Sequence, residues 1–253
     1  MIATLKRTLN PIIKNRKTRV YSIGIERSGT ASIPKYFPQL RAMHEPNVRQ
    51  LWNIVCRQRR GQNIKKDLRR RDSELYLELE SCHLTAHVAA KLTTLFPDSK
   101  FICTVREPLS WLRSVIQRHT AAYSVKHGFW KPILDFYYGT KEKYQYSWTK
   151  KQGIYPVRSY LRGWVNHNEI VLSSVPPNRL IVVWTSELSD KVRSIEDFVG
   201  SECIDRPQPH NSTSAAIDPY NHLPINELKK MMQKICKSTI KKSAKLQSKV
   251  TNV

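Results

Sequence analysis

Residues 19–32 read RVYSIGIERSGTAS, and this stretch decides the fold class. Its first half is a short β-prone run, and Gly24 opens a polar loop. Gly24 and Gly29 have the G-x-x-x-x-G spacing of a phosphate loop placed directly after a strand. Such a loop turns consecutive backbone N–H groups toward an anion, at the positive end of the helix that follows. Thr30 stands where a Walker lysine would be, and Ala31 where its metal-binding hydroxyl would be. The phosphate-bridging cation and the magnesium ligand of a kinase or ATPase are therefore both missing. The cation, Arg27, lies inside the loop instead, beside the hydroxyls of Ser28, Thr30 and Ser32. That set suits an oxyanion held without a metal.

Outward from this loop, residues 96–114 read FPDSKFICTVREPLSWLRS. A buried strand is expected at 100–105, and Pro108 opens a helix running to about 119. Arg106 ends the strand and Ser114 lies on the helix, so the two can close on one phosphate. Alone, Arg106 would as often be a strand-end salt bridge. Two anion-binding devices at neighbouring strand ends point to a ligand with phosphates at two places. The nucleotide 3′-phosphoadenosine 5′-phosphosulfate (PAPS) is such a ligand.

The remaining pattern alternates strands with helices. RLIVVW at 179–184 is a third clear strand, and the apolar–polar alternation at 75–79 predicts another. A helical turn is expected within 33–40, limited by Pro34 and Pro38. Longer helices are expected at 51–60, 83–96, 155–173 and 189–199, the last ending at Gly200. Ile225, Leu228, Met232 and Ile235 mark one face of a terminal helix. The aromatic-rich stretch 120–153 reads as irregular cover over a site. The expected architecture is α/β: a three-layer sandwich with a mostly parallel central sheet, P-loop-NTPase-like. The expected division is a basic segment at 1–18, a catalytic domain at 19–222, and a basic helix or tail at 223–253.

Composition narrows the function classes. The chain has 253 residues and a formal charge of +23, enough for one sizeable core and attractive to anionic partners. Two basic runs stand out, one from Arg57 to Arg71 and one along the C-terminal lysines. Such runs are usually solvated faces, and the alternative is contact with an anionic acceptor, nucleic acid or membrane. A nucleic-acid-binding protein would interleave aromatic groups with these residues, but Trp52 alone lies near the first run and none follows Tyr220. No stable nucleic-acid partner is expected. The five cysteines are scattered without CxxC spacing, which argues against zinc and redox pairs. No apolar run is long enough for a membrane span, and no secretory signal is visible. A basic, acid-poor N-terminus is compatible with a transit peptide, but the expectation is a cytoplasmic protein.

RSGT at 27–30, together with 96–114, resembles the 5′-phosphosulfate loop and the 3′-phosphate motif of PAPS-dependent sulfotransferases. The RSGT form is more similar to the tyrosylprotein, carbohydrate and bacterial small-molecule classes than to the lysine-bearing cytosolic phenol and steroid class. PPNRLIVVWTSELSDKVRSIEDFVG at 176–200 resembles the family's later strand and helix. His210-Asn211-Ser212 resembles its short Asn-Ser segment. The resemblance implies that Arg27, Ser28, Gly29, Thr30, Ala31 and Ser32 hold the 5′-phosphosulfate of PAPS, while Arg106 and Ser114 hold the 3′-phosphate. The chain departs from the pattern at Ala31, where a second threonine is common, and at Glu107, where aspartate is usual. The glycine-rich adenine-contacting loop of the cytosolic class is not visible.

Transfer needs a base for the acceptor's proton and a cation for the leaving oxygen. Arg27 is the cation candidate. His44-Glu45-Pro46 is expected at the end of a second strand. Glu45 matches the family's base by position, and His44 competes on its intrinsic pKa. His83 is a third candidate, whereas Glu80 and Ser81 read as a helix cap and His167 as packed or surface. No metal site is expected. The acceptor is expected to be a small molecule or sugar, anionic acceptors included.

Overall fold

The computed structural model describes residues 15–121, 127–203 and 218–250, with side chains to residue 247. Its sheet has five strands: β1 (Val20–Ser22), β2 (Ala42–His44), β3 (Leu79–Ser81), β4 (Lys100–Val105) and β5 (Leu180–Trp184). Their order is β2-β3-β1-β4-β5, and every neighbouring pair is parallel. The helices are α1 (Ile33–Tyr36), α2 (Val48–Arg59), α3 (Lys65–Leu75), α4 (Ala89–Leu95), α5 (Pro108–Ala121), α6 (Trp130–Tyr138), α7 (Ser147–Lys151), α8 (Val157–Ser174), α9 (Val192–Val199) and α10 (Ile225–Val250).

Strand side chains alternate faces, and here both faces are apolar because both are covered. Phe101, Cys103 and Val105 enter a large core with Trp111, Leu112, Tyr160 and Trp164. Ile102, between them, enters a second core with Ile33, Phe37, Ile181 and Ile195. Burying each such side chain is worth about 1.5–3 kcal/mol, so the alternation in β4 holds three layers together. The terminal helix belongs to the larger core: Leu228 and Cys236 are buried in it, while Lys229, Lys230, Lys234, Lys237, Lys241 and Lys245 remain exposed.

Three expectations change. The strand predicted at 75–79 is the end of α3 and a turn, with the strand beginning at Leu79. Tyr76 takes a left-handed backbone (φ 47°) and its N–H caps the helix on Asp72 O. Helix α3 escaped the periodicity because only Leu68, Arg71 and Leu75 face inward. Consequently Glu80 and Ser81 are strand residues, not a cap. The stretch 120–153 contains two helices, α6 and α7, and α6 buries Ile133, Leu134, Tyr137 and Tyr138. The helix expected from 83 begins as a 3₁₀ segment, His83–Val88.

Candidate active site

In a parallel sheet the carboxyl ends of the strands share one rim, where ligands bind. Each strand here delivers chemistry to that rim. The loop from Gly24 to Ser32 follows β1, Glu45 follows β2, His83 follows β3, Arg106 follows β4 and Thr185 follows β5.

The loop lies tight against its neighbours. A Cβ on Gly24 would stand 2.2 Å from Thr104 Oγ1 and 2.6 Å from Thr104 O, so a side chain would push the loop off β4. Ser28 Oγ, fully buried, donates to Ile25 O (2.5 Å) and lies 3.2 Å from Thr104 Oγ1. Thr185 Oγ1 donates to Ser28 O (2.9 Å), and Ser81 Oγ donates to Thr30 O (2.7 Å). The hydroxyl of Ser28 therefore braces the loop, as does its N–H, which donates to Ile25 O (3.2 Å). Arg27 (φ 63°) and Gly29 (φ 91°) take left-handed conformations on either side of Ser28, the alternation that forms an anion-binding concavity. Among the described residues, the amides of Gly29, Thr30 and Ala31 donate to no protein acceptor. The following helix, α1, is only four residues long, so these amides matter more than a helix dipole.

Two guanidiniums flank the loop. Arg27 Nε donates to Ser114 Oγ (3.1 Å), and Arg106 donates to Ser110 Oγ (2.9 Å) and to Arg27 O (3.3 Å). Burial lowers the Arg27 pKa from its ordinary value despite the opposing pull of Glu26, and Arg118 lowers it further. Burial and the charge of Arg27 lower Arg106 in the same way. Two partly desolvated cations that repel each other form a site made for anionic charge. The structure thus joins Arg27, Arg106 and Ser114, and adds Ser110. The Arg106-x-x-x-Ser110 spacing, one helical turn, was the available signal for that serine.

Glu45 adopts a left-handed backbone (φ 50°), and its Oε1 lies 3.3 Å from His83 Nδ1. Burial alone would raise its pKa, but the hydrogen bond and charge of His83, together with His44, hold it below the usual carboxylate value. Burial lowers the His44 pKa, outweighing the opposing pull of Glu45. His44 Nε2 lies 3.4 Å from Thr30 Oγ1. All three candidate bases therefore lie around one corner of the rim, with His83 beside Tyr137 and Trp130 of α6.

Glu26 is given a role by no motif in the sequence. Its Oε1 accepts from Tyr138 OH (2.8 Å) and lies 3.4 Å from His119 Nε2, and His119 Nδ1 is 2.8 Å from Tyr160 OH. Trp111 Nε1 donates to Glu26 O (2.8 Å). Burial would raise the carboxyl, but His119, His83 and Tyr138 hold it down at about 2. Glu26 is thus held as an anion at the base of the loop, tied to α5 and α6 by His119 and Tyr138. His167 is packed rather than exposed, 1% accessible, with Nε2 2.8 Å from Ile23 O. A cavity of about 20 Å³ lined by Tyr21, Arg71, Glu80 and Thr85 is water-sized. No cluster of metal-ligating residues occurs among the described residues. The His210–Ser212 segment lies outside them.

A sulfotransferase-domain family model matches residues 19–217. The chain belongs to the sulfotransferase family, and it is accordingly a transferase. Among solved structures, a sulfotransferase from Alicyclobacillus acidocaldarius is similar with 14% identity and a TM-score of 0.54, covering 92% of this chain and 96% of that one. A sulfotransferase domain from the curacin biosynthetic pathway aligns at 16% identity and a TM-score of 0.48, covering 92% and 98%. The first likeness bears on the fold alone. No curated protein matches the sequence. No helix among the described residues is long and apolar enough to cross a membrane.

Proposed function

We propose that this sulfotransferase takes its sulfuryl group from PAPS and passes it to a hydroxyl or amine of a small molecule or sugar. The observation that carries the reading is the Arg27–Arg106 pair, held by serines rather than carboxylates and facing a loop with three undonated amides. These groups fit a donor with two anionic ends. Gly29, Thr30 and Ala31 would hold the phosphosulfate through their amides, Arg27 through its charge, and Arg106 with Ser110 and Ser114 the 3′-phosphate. Thr30 and Ser32 would contribute hydroxyls.

In the reaction the acceptor oxygen or nitrogen attacks sulfur in line. The bond from sulfur to the bridging phosphate oxygen breaks, its electron pair stays on that oxygen, and adenosine 3′,5′-bisphosphate leaves. Glu45 takes the acceptor's proton, and His83 keeps Glu45 ionised and aimed. Arg27 stabilises the charge developing on the bridging oxygen. No cation bridges the phosphates in this scheme, so metal is not required. We assign residues 19–222 to the catalytic unit, with the basic terminal helix packed on it. Cys82, Cys103 and Cys236 are buried free thiols, in keeping with a reducing cytoplasm.

The test is calorimetric binding of adenosine 3′,5′-bisphosphate in EDTA, for the wild type and for Arg106→Ala. The wild type should bind, and the variant should lose about ten- to a hundredfold in affinity. A folded wild type that does not bind would sink the PAPS reading.

A further inference from the structure

Arg71 closes the sequence's most basic run, yet it is buried where its neighbours Arg69 and Arg70 are exposed. Its Nη1 lies 2.5 Å from Glu80 Oε2, and both side chains are less than a tenth exposed. Its Nη2 donates to Pro46 O at 2.7 Å. Glu80 is held in turn by Thr85 Oγ1 on its other oxygen (3.2 Å). One guanidinium on α3 thus ties strand β3 to the turn that carries Glu45.

That turn needs holding. Glu45 (φ 50°) and Asn47 (φ 43°) both occupy the left-handed region, on either side of a proline that fixes its own φ. A non-glycine residue in this region, and directly before proline, is strained. Glu45 N–H donates to Ser81 O (2.8 Å) and Asn47 O accepts from Leu51 N–H (3.2 Å). Arg71 supplies the bond between them, to the carbonyl of Pro46. Fork geometry lets an arginine reach two acceptors at once, which a lysine cannot do as well.

We infer that Arg71, through its paired contacts with Glu80 and Pro46, is a positioning residue that fixes the orientation of Glu45 as base. This rests on the proposed sulfotransferase chemistry with Glu45 as base. A buried ion pair is weak support for stability in itself, and its geometric reach to the catalytic turn gives it a reason to be here.

The test uses slow hydrolysis of PAPS, with water as acceptor, so no acceptor need be known. Arg71→Met alone leaves Glu80 buried and uncompensated and can unfold the chain, so the working variant is Arg71→Met with Glu80→Leu. This double variant should bind adenosine 3′,5′-bisphosphate like the wild type and melt within a few degrees of it. Its hydrolysis should fall about ten- to a hundredfold, the scale of small misplacements of a reacting group. In a Glu45→Gln background the same double substitution should cause no further loss, because Arg71 acts only through Glu45. Unchanged hydrolysis in the double variant, or losses that add, would overturn the inference while leaving the sulfotransferase reading intact. Nucleotide binding lost together with turnover would reduce Arg71 to a structural role and overturn it likewise. If Glu45→Gln alone hydrolyses PAPS at the wild-type rate, the base assignment itself fails and takes this inference with it.

Discussion

The protein carries positive charge in two very different ways. On α2 and α3 the arginines other than Arg71 are exposed, and two of them are paired: Arg57 meets Asp67 at 2.7 Å, and Arg70 reaches Asp67 and Glu74 at 3.5 and 3.9 Å. At the sheet rim Arg27 and Arg106 are partly buried and held by serines and a carbonyl. Exposed pairs contribute about 0–1 kcal/mol each, because water already solvates both partners. Desolvated cations without carboxylates are costly, and a fold retains them where an anion is to arrive. Net charge therefore said little about function, and its local environment said much more.

The most severe way to test this contrast is Arg27→Ala. In the proposed mechanism this removes the cation at the bridging oxygen and should slow PAPS turnover about 10²–10³-fold, measured as release of adenosine 3′,5′-bisphosphate; a drop of less than about tenfold would place the rim arginines with the surface ones. Next, Gly24→Ala forces a Cβ into Thr104. It should cost about 1–3 kcal/mol of stability and weaken nucleotide binding with it, as read by thermal unfolding with and without nucleotide.

The contrast extends to buried bases. Burial lowers His167 from 6.5 to about 3, so between these values the unfolded chain binds a proton that the folded one excludes. Stability contributed by neutral His167 is complete above pH 6.5 and declines as pH falls through that window, by about 2 kcal/mol at pH 5. Urea unfolding at pH 7 and pH 5 measures the slope. His167→Gln, which can still donate to the Ile23 carbonyl, should reduce it, while His87, which burial also lowers to about 3, contributes the remainder. The smallest expected effect belongs to Arg70→Ala, which should shift stability by no more than about 0.5 kcal/mol and leave nucleotide affinity unchanged. A tenfold loss of affinity there would erase the distinction between the two regions.

Legibility in the sequence followed the same divide between local and distant determinants. Strand β5 is a continuous apolar run, β4 is mostly apolar, and β1 precedes a glycine loop, so all three could be read directly. Strands β2 and β3 have three residues each and include His44 and Glu80, residues that take meaning only from partners elsewhere. Helix α3 was hidden because one of its inward positions is an arginine, whose acceptors lie beyond the helix. The loop residues and Arg106 could be nominated from spacing, since a strand-to-loop motif is local. Glu26 could not, because its partners Tyr138 and His119 come from α6 and α5. The pairing of Glu45 with His83 likewise depends on β2 lying beside β3.

The hydroxyl of Tyr138 on Glu26 joins the helix that flanks His83 to the loop that carries Arg27. An acceptor that shifts α6 would therefore act on the loop proposed to hold the nucleotide as well. Thermodynamic linkage makes any such influence mutual: whatever factor the nucleotide contributes to acceptor affinity, the acceptor returns to nucleotide affinity. One phenol would then make the two substrates heterotropic effectors of each other, and the order in which they bind would have an energetic basis.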